Sequence, residues 1–337
     1  MTQLLKTGAL SFHGIIVAVA VIIMILYALY YTKLRRYDVT TLMYITPASI
    51  FFGFAGARLL YVTVCDQLYV EPAEKWRLTD GGYALFGAAA GVVLTVIAWW
   101  LINRRKPKLL PVFDTLCVSA PLAIALGRLG SVFSEDCLGS AVEADGLKFF
   151  PIAIFKQSDG QYHYAVFFYE AAICLIIFFA VRFADKKYNR PGVASFVFGA
   201  LYCGARSFLE VLREDSMHIG FVPVNQVIAI FTLIGLFVYA SVRLARTARF
   251  KKIYILSYIV FAASFVTAFF SMFYMYSTNR VRNTLFILIC CIVMTVLTLF
   301  TGSMYIKRIK KEKKAAHKKR LPDKTQRFDR VNAGQKK

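Results

Sequence analysis

About nine long apolar blocks, separated by short polar segments, dominate the sequence. Each block is roughly 18 to 25 residues long, which is enough for a helix to cross about 30 Å of hydrocarbon. The pattern predicts membrane spans at 14–32, 43–64, 83–102, 112–133, 165–182, 192–210, 223–242, 253–275 and 284–306. Because a helix satisfies its own backbone hydrogen bonds in lipid, these blocks predict an all-α polytopic membrane protein.

The loops between the spans alternate in charge. Basic residues follow the first, third, fifth and seventh spans, at Lys33, Lys108, Lys186 and Arg243 among others. Acidic residues, such as Glu71, Glu143 and Glu214, occupy the opposite set of loops. Since positive loops stay in the cytoplasm, the amino terminus is predicted to lie outside and the carboxyl terminus inside.

The composition agrees with a membrane protein, and its changes along the chain define three regions. The 337 residues are 58% hydrophobic and 18% charged, which excludes an ordinary soluble enzyme. We predict a bundle over 1–245, two additional spans over 253–306, and a basic, disordered cytoplasmic tail over 307–337. The net charge of +22 owes much to that tail, which is expected to contact anionic lipid. No nucleic-acid partner is predicted, because no aromatic residues for base stacking are interleaved with the basic run.

Two local patterns predict tertiary contacts. The outer loop 134–164 has two apolar runs on either side of an Asp-Gly turn, which predicts a β hairpin in a small extracytoplasmic head. Gly53 and Gly56 in the second span, and Gly87 and Gly91 in the third, are typical of closely packed helices.

Five ionisable residues in the predicted spans are candidates for function: Arg58, Arg128, Glu170, Arg206 and Glu210. A charge in the bilayer costs about 2.5 to 3.5 kcal/mol at mid-membrane, so each requires a compensating partner or a role. The spacing of Arg206 and Glu210 also suits a purely structural ion pair, and Arg58 and Arg128 are also placed to snorkel. The functional hypothesis is that arginines converge on a phosphate, most simply that of a phospholipid headgroup.

Several motifs resemble one family in their order and spacing. They are GARLLYV, DGGYALFGAAAG, GRLGSVFSEDCLG, FFYEAA and GALYCGARSFLEVLRE followed by Gln226. Together they resemble the prolipoprotein diacylglyceryl transferases of the bacterial cytoplasmic (inner) membrane, from the first span to about residue 242. The resemblance implies a seven-helix bundle with an outer head, to which this chain adds two spans. It also implies transfer of diacylglyceryl from phosphatidylglycerol to the cysteine of a prolipoprotein signal peptide, releasing glycerol phosphate.

The resemblance also implies site residues. Arg128 and Arg206 fall on the family's essential arginines, Glu210 falls on its nearby acid, and His13 stands where the family has a tyrosine. The positions expected to contact substrate are Arg58, Ser131, Asp136, Gly139, Tyr169 and Glu170. No cofactor is implied, and the four histidines have no metal-binding spacing.

The chain departs from the family at several site positions. Phe86 replaces the family's histidine and cannot exchange a proton, and Ser131 and Ser134 replace two asparagines. His13 therefore has two interpretations, a substitute base or an interfacial histidine at a helix start. Three functions follow as hypotheses: the transferase, a non-catalytic or specialised paralogue binding anionic phospholipid or a lipoprotein precursor, and a transporter.

Overall fold

The computed structural model describes residues 12–69, 71, 73–77, 81–103, 108–134, 136–220, 222–246, 252–274 and 280–320. It confirms the all-α membrane class. Its helices are α1 (Phe12–Leu34), α2 (Val39–Val64), α3 (Leu85–Ile102), α4 (Leu109–Leu129), α5 (Val166–Tyr188), α6 (Val193–Leu212), α7 (Val224–Ala245), α8 (Lys252–Tyr274) and α9 (Arg280–Arg320). Eight of these include stretches long and apolar enough to span a bilayer, and α8 has a shorter apolar stretch, Ile255–Phe270.

The last helix differs from its predicted span. It continues to Arg320, although the span was expected to end near 306 and to be followed by a disordered tail. The polar continuation consists mainly of Lys, with two Arg and two Ala, which are strong helix formers and need no apolar partner to extend an existing helix. Residues 321–337 of the predicted tail lie outside the described part of the chain.

The predicted hairpin is present in the head. Strands β1 (Ala153–Lys156) and β2 (Gln161–Tyr164) pair antiparallel across a turn that contains Gly160 at φ +70°. Segment 139–142 lies along the other side of β2, where Gly139 N donates to Tyr164 O at 2.8 Å and Val142 N to Tyr162 O at 2.7 Å. A second short hairpin joins β3 (His218–Ile219) to β4 (Val222–Pro223). The head thus connects the end of α4, the start of α5 and the end of α6, which lie on the same side of the bundle.

Helices α2 and α3 meet at their glycines, as predicted. A Cβ on Gly87 would overlap the Gly56 carbonyl oxygen, and a Cβ on Gly91 would overlap that of Phe52. The two backbones can approach this closely only because side chains are missing on both helices. This helix pair carries Phe86 toward the bundle interior.

Helix α9 packs directly on α6 and α7. Val211 of α6 is buried with Ile287 and Cys291 of α9, and nearer the middle of α6 a Cβ on Gly204 would overlap the Thr295 side chain. The last helix therefore contacts the same helix that carries Arg206 and Glu210.

Two buried carboxylates, Asp114 and Asp185, were missing from the sequence-based set. Asp114 of α4 is fully buried and accepts hydrogen bonds from Gly192 N, Ser195 N and Ser195 Oγ at 2.5, 2.9 and 2.7 Å. It thereby satisfies free backbone donors at the start of α6, which fixes that helix against α4.

Candidate active site

Three helices bring four of the predicted site residues together at one end of the bundle. Arg128 is in the last turn of α4, Glu170 lies near the start of α5, and Arg206 and Glu210 lie near the end of α6. Successive helices run in opposite directions, so these positions share one side of the membrane. The side chains of Glu170 and Glu210 are at most 2% exposed.

Glu170 is the centre of this cluster. Its Oε2 lies 2.9 Å from Arg128 Nε and 2.8 Å from Arg206 Nη1. Arg206 also reaches Glu210, with 2.7 Å between Nη2 and Oε2. Two arginines and two carboxylates therefore alternate in a chain that is neutral overall. This mutual pairing offsets the cost of burying each charge.

The sequence did not identify the polar residues that complete the cluster. Tyr202, one turn before Arg206, donates its hydroxyl to Glu170 Oε1 at 3.2 Å. Ser216 and Asn225 donate to Glu210 Oε1 at 2.6 and 2.8 Å. The i,i+4 spacing of Tyr202 and Arg206 was a usable signal, whereas Ser216 and Asn225 become neighbours only through tertiary folding.

Arg128 differs from Arg206 in its exposure and in its second partner. The Arg128 side chain is 19% exposed and that of Arg206 is 3% exposed. Arg128 Nη1 lies 2.9 Å from the Sγ of Cys137. Of the two arginines, Arg128 is thus the one that an entering molecule can reach.

A second ion pair lies just outside the spans. Arg213 contacts Asp215 through two hydrogen bonds of 3.0 and 2.9 Å, and Asp215 Oδ2 also accepts from Cys137 N at 3.0 Å. Burial alone would raise the pKa of Asp215, but the Arg213 guanidinium and these hydrogen bonds lower it below its ordinary value. The pair fixes the segment after α6 to the segment that carries Cys137.

Two predicted contact residues have structural partners instead of facing the cluster. Gly139 allows close approach, since a Cβ there would lie 2.8 Å from the Leu212 carbonyl oxygen. The Tyr169 hydroxyl donates to Ile152 O in the head at 2.6 Å. Asp136, a third predicted contact residue, is exposed at the surface, whereas the carboxylates of the cluster are buried.

Arg58 anchors a loop and is not available as a phosphate ligand in this structure. Its guanidinium donates to the carbonyl oxygens of Glu74, Lys75, Arg77, Gly81 and Gly82. A guanidinium has five N–H donors, and the five carbonyls match that number. In this structure Arg58 holds the loop between α2 and α3, and its contact with substrate stays a prediction.

His13 and Ser131 contribute buried atoms whose hydrogen-bonding capacity is unused among the described residues. They are the Nδ1 of His13 and the Oγ of Ser131. A Cβ on Gly130, the residue before Ser131, would lie 3.4 Å from His13 Nδ1, so the start of α1 lies against the residue that follows α4. A buried polar atom without a partner is costly, and a bound substrate is one way to supply the partner.

Phe86 lies in an apolar part of the same bundle. Its ring centroid is 6.4 Å from that of Tyr202, and it packs with Cys203, Ala229 and Leu233. The position that is histidine in the resembled family thus adjoins the charged cluster through Tyr202, but it cannot take part in proton transfer.

This fold and cluster define a class: a multi-pass membrane protein with a partly accessible arginine in a buried ionic network at one end of its bundle. A sequence model described as prolipoprotein diacylglyceryl transferase matches residues 2–242. The chain belongs to the prolipoprotein diacylglyceryl transferase family.

Relatives named phosphatidylglycerol–prolipoprotein diacylglyceryl transferase support the assignment. The protein of Clostridium novyi is 26% identical over 248 residues, covering 72% of this chain and 95% of the relative. A Clostridium botulinum (strain 657) protein is 28% identical over 234 residues, which cover 67% of this chain and 91% of the relative. A Streptomyces avermitilis protein is 29% identical over 204 residues, which cover 57% of this chain and 58% of the relative.

Proposed function

We propose that this protein transfers the diacylglyceryl group of phosphatidylglycerol to the cysteine thiol of a prolipoprotein signal peptide. The thiolate sulfur attacks the glycerol carbon bonded to the phosphate, a C–S bond forms, and the C–O bond to phosphate breaks. Glycerol phosphate leaves with the bonding electron pair, and a base takes the thiol proton. The observation that carries the proposal is the Arg128–Glu170–Arg206 arrangement at one end of the bundle of a family member.

The two arginines have different roles in this proposal. Arg128 is partly exposed and contacts the phosphate directly, where a guanidinium can bind two oxygens and stabilise the charge of the leaving group. Arg206 is engaged by Glu170 and Glu210, so it positions the cluster and supplies positive potential. When a phosphate competes with Glu170 for Arg128, Arg206 and Tyr202 still balance the Glu170 carboxylate.

His13 is the proposed base. The thiol of a free cysteine has a pKa of about 8.5, so reaction near neutral pH requires deprotonation. Among the described residues, His13 Nδ1 has no hydrogen-bond partner. It lies close to Gly130, which follows Arg128 by two residues, and this supports the role of base.

The membrane orientation follows the charge distribution of the loops. The amino terminus and the head lie outside the bacterial cytoplasmic membrane, and the helical basic extension of α9 lies in the cytoplasm. The Arg128 cluster then faces the outer leaflet, where a secreted cysteine and a phospholipid headgroup are both present.

Phe86 favours a second candidate function. A family member without the histidine can retain binding of anionic phospholipid or of a lipoprotein precursor without catalysing transfer. The intact arginine cluster supports binding in either case, so only turnover separates the two candidates.

The test uses the full-length protein in nanodiscs containing phosphatidylglycerol, with a signal peptide that has one acceptor cysteine. The proposal predicts release of glycerol phosphate and an equal amount of peptide whose mass has increased by one diacylglyceryl group. The same peptide with Cys→Ser is the matched control and should remain unmodified. Lipid binding without turnover would contradict the transferase and favour the non-catalytic candidate.

A further inference from the structure

The backbone of Cys137, in the segment between α4 and β1, has a conformation that few residues other than glycine adopt. Its φ angle is +62°. Its N–H donates to Asp215 Oδ2, and its carbonyl oxygen accepts from Phe167 N, both at 3.0 Å. A left-handed conformation is costly for a residue with a Cβ, and it persists only where the surrounding contacts impose it. The fold therefore fixes the direction of this side chain.

The Cys137 sulfur contacts the accessible arginine of the cluster. Sγ lies 2.9 Å from Arg128 Nη1, and the cysteine is 4% exposed. Asp215, which holds the Cys137 N–H, is in turn fixed by two hydrogen bonds from Arg213. A continuous set of contacts thus runs from the segment after α6, through Cys137, to the last turn of α4.

A second contact of this kind suits the proposed task of Arg128. Its side chain is 19% exposed, and its carboxylate partner, Glu170, is shared with Arg206. A long side chain that is held at one point keeps several rotamers, and it loses them when it binds a ligand. A second carboxylate would fix the guanidinium, but it would also compete with an incoming phosphate. A thiol sulfur is a weak, neutral acceptor, so it orients Nη1 and leaves the positive charge for the phosphate.

We infer that Cys137 is a positioning residue for the transfer reaction, because it orients the Arg128 guanidinium toward the phosphate of the lipid substrate. This inference rests on the proposed function. Donors that are already oriented stabilise a leaving group without reorganising at the moment of reaction. The contact between Cys137 and Arg128 therefore contributes to the rate of transfer and not only to stability.

The substitutions Cys137→Ser and Cys137→Ala separate positioning from packing. Serine keeps an acceptor for the guanidinium, whereas alanine is similarly small and has none. Full-length protein in nanodiscs is assayed with the one-cysteine signal peptide while the mole fraction of phosphatidylglycerol is varied. We expect Cys137→Ala to lower kcat/KM for phosphatidylglycerol by about tenfold, at the lower end for a hydrogen bond to a charged group. Cys137→Ser should stay within about threefold of wild type, because its hydroxyl replaces the acceptor.

A packing role predicts the opposite order of the two variants. Cys137 is buried with Leu138, Ala165 and Phe167, and a buried hydroxyl without a hydrogen bond is costlier than a methyl group. Packing alone would therefore make Cys137→Ser the more damaging change, in melting temperature and in rate together. The matched control is Cys291→Ala, the same change at a thiol buried between α9 and α6. It should keep the wild-type kcat/KM.

Three results would overturn the inference: equal kcat/KM in wild type and Cys137→Ala, a loss in Cys137→Ser as large as that in Cys137→Ala or larger, or the same loss in Cys291→Ala. Absence of transfer by the wild type would instead contradict the proposed function. In that event, calorimetry measures the binding of glycerol phosphate to the full-length protein in phosphatidylcholine nanodiscs. A Kd raised by about fivefold or more in Cys137→Ala, and by less in Cys137→Ser, would support the positioning of Arg128. Any other order, or no binding by the wild type, would exclude it.

Discussion

The substitution Glu170→Gln tests whether the ionic cluster depends on its central carboxylate. Glu170 is 1% exposed and accepts from both Arg128 and Arg206. A glutamine is nearly isosteric, but it removes the negative charge and turns one acceptor into an amide donor. Removing one partner from a buried ion pair typically costs about 3 to 5 kcal/mol. The cluster would then carry one uncompensated positive charge.

We expect Glu170→Gln to lower the free energy of unfolding by about 3 to 5 kcal/mol. We also expect transfer to fall by about 100-fold or more, since a loss of 2.7 kcal/mol in transition-state stabilisation already gives that factor. Denaturant-induced unfolding in detergent micelles measures the first quantity, and glycerol phosphate release measures the second.

The matched control is Glu214→Gln, because the Glu214 side chain is 58% exposed and its contact with His163 is 3.4 Å long. A surface change of this kind should alter stability by about 0.5 kcal/mol or less. Combining Glu170→Gln with Arg206→Gln should destabilise less than the sum of the two single changes, because the added charge imbalance is removed. Wild-type stability in Glu170→Gln would refute the electrostatic account of the cluster.

The other predictions concern the base, the outer ion pair and the added helices. His13→Phe should reduce transfer at least tenfold, and adding Phe86→His should restore part of it; full activity of His13→Phe in the release assay would exclude His13 as the base. Asp215 has a lowered pKa, so its stabilising effect is complete above the ordinary aspartate pKa of about 4 and disappears as pH falls through the lowered value. The melting temperature of Asp215→Asn should thus fall below that of wild type near pH 6 and approach it below about pH 4, whereas a pH-independent difference would contradict the linkage. Gly204→Leu should cost about 1 to 3 kcal/mol by overpacking against Thr295, and unchanged thermal unfolding would show that α9 does not pack there.

The helices could be predicted because bilayer thickness imposes a length on each apolar block. The structure confirms their positions to within six residues for the first eight, and it confirms the 153–164 hairpin from its Asp-Gly turn. The predicted end of α9 was wrong because charge and low hydropathy were taken to end the helix, whereas Lys, Arg and Ala sustain it.

The sequence indicated which charged residues form the site, but it indicated only one of the ion pairs between them. Charges inside apolar blocks identified Arg128, Glu170, Arg206 and Glu210, and spacing alone suggested only the Arg206–Glu210 pair. The pairing of Glu170 with both arginines joins three helices and cannot be derived from local spacing.

Arg58 is a charge in a predicted span that has structural partners which the sequence did not indicate. A charge in a predicted span invited a functional interpretation, yet its donors are satisfied by backbone carbonyls of the following loop. Such carbonyls leave no mark in the sequence, because every residue carries one.

The most direct test of the central claim compares wild-type protein with Arg128→Ala and Arg206→Ala in nanodiscs of phosphatidylglycerol. Peptide mass and released glycerol phosphate are followed together, and circular dichroism checks that each variant is folded. The account predicts stoichiometric transfer by the wild type and a loss of about 100-fold or more in each variant, comparable to the loss of a key transition-state contact. Transfer at the wild-type rate by either folded variant would contradict the account.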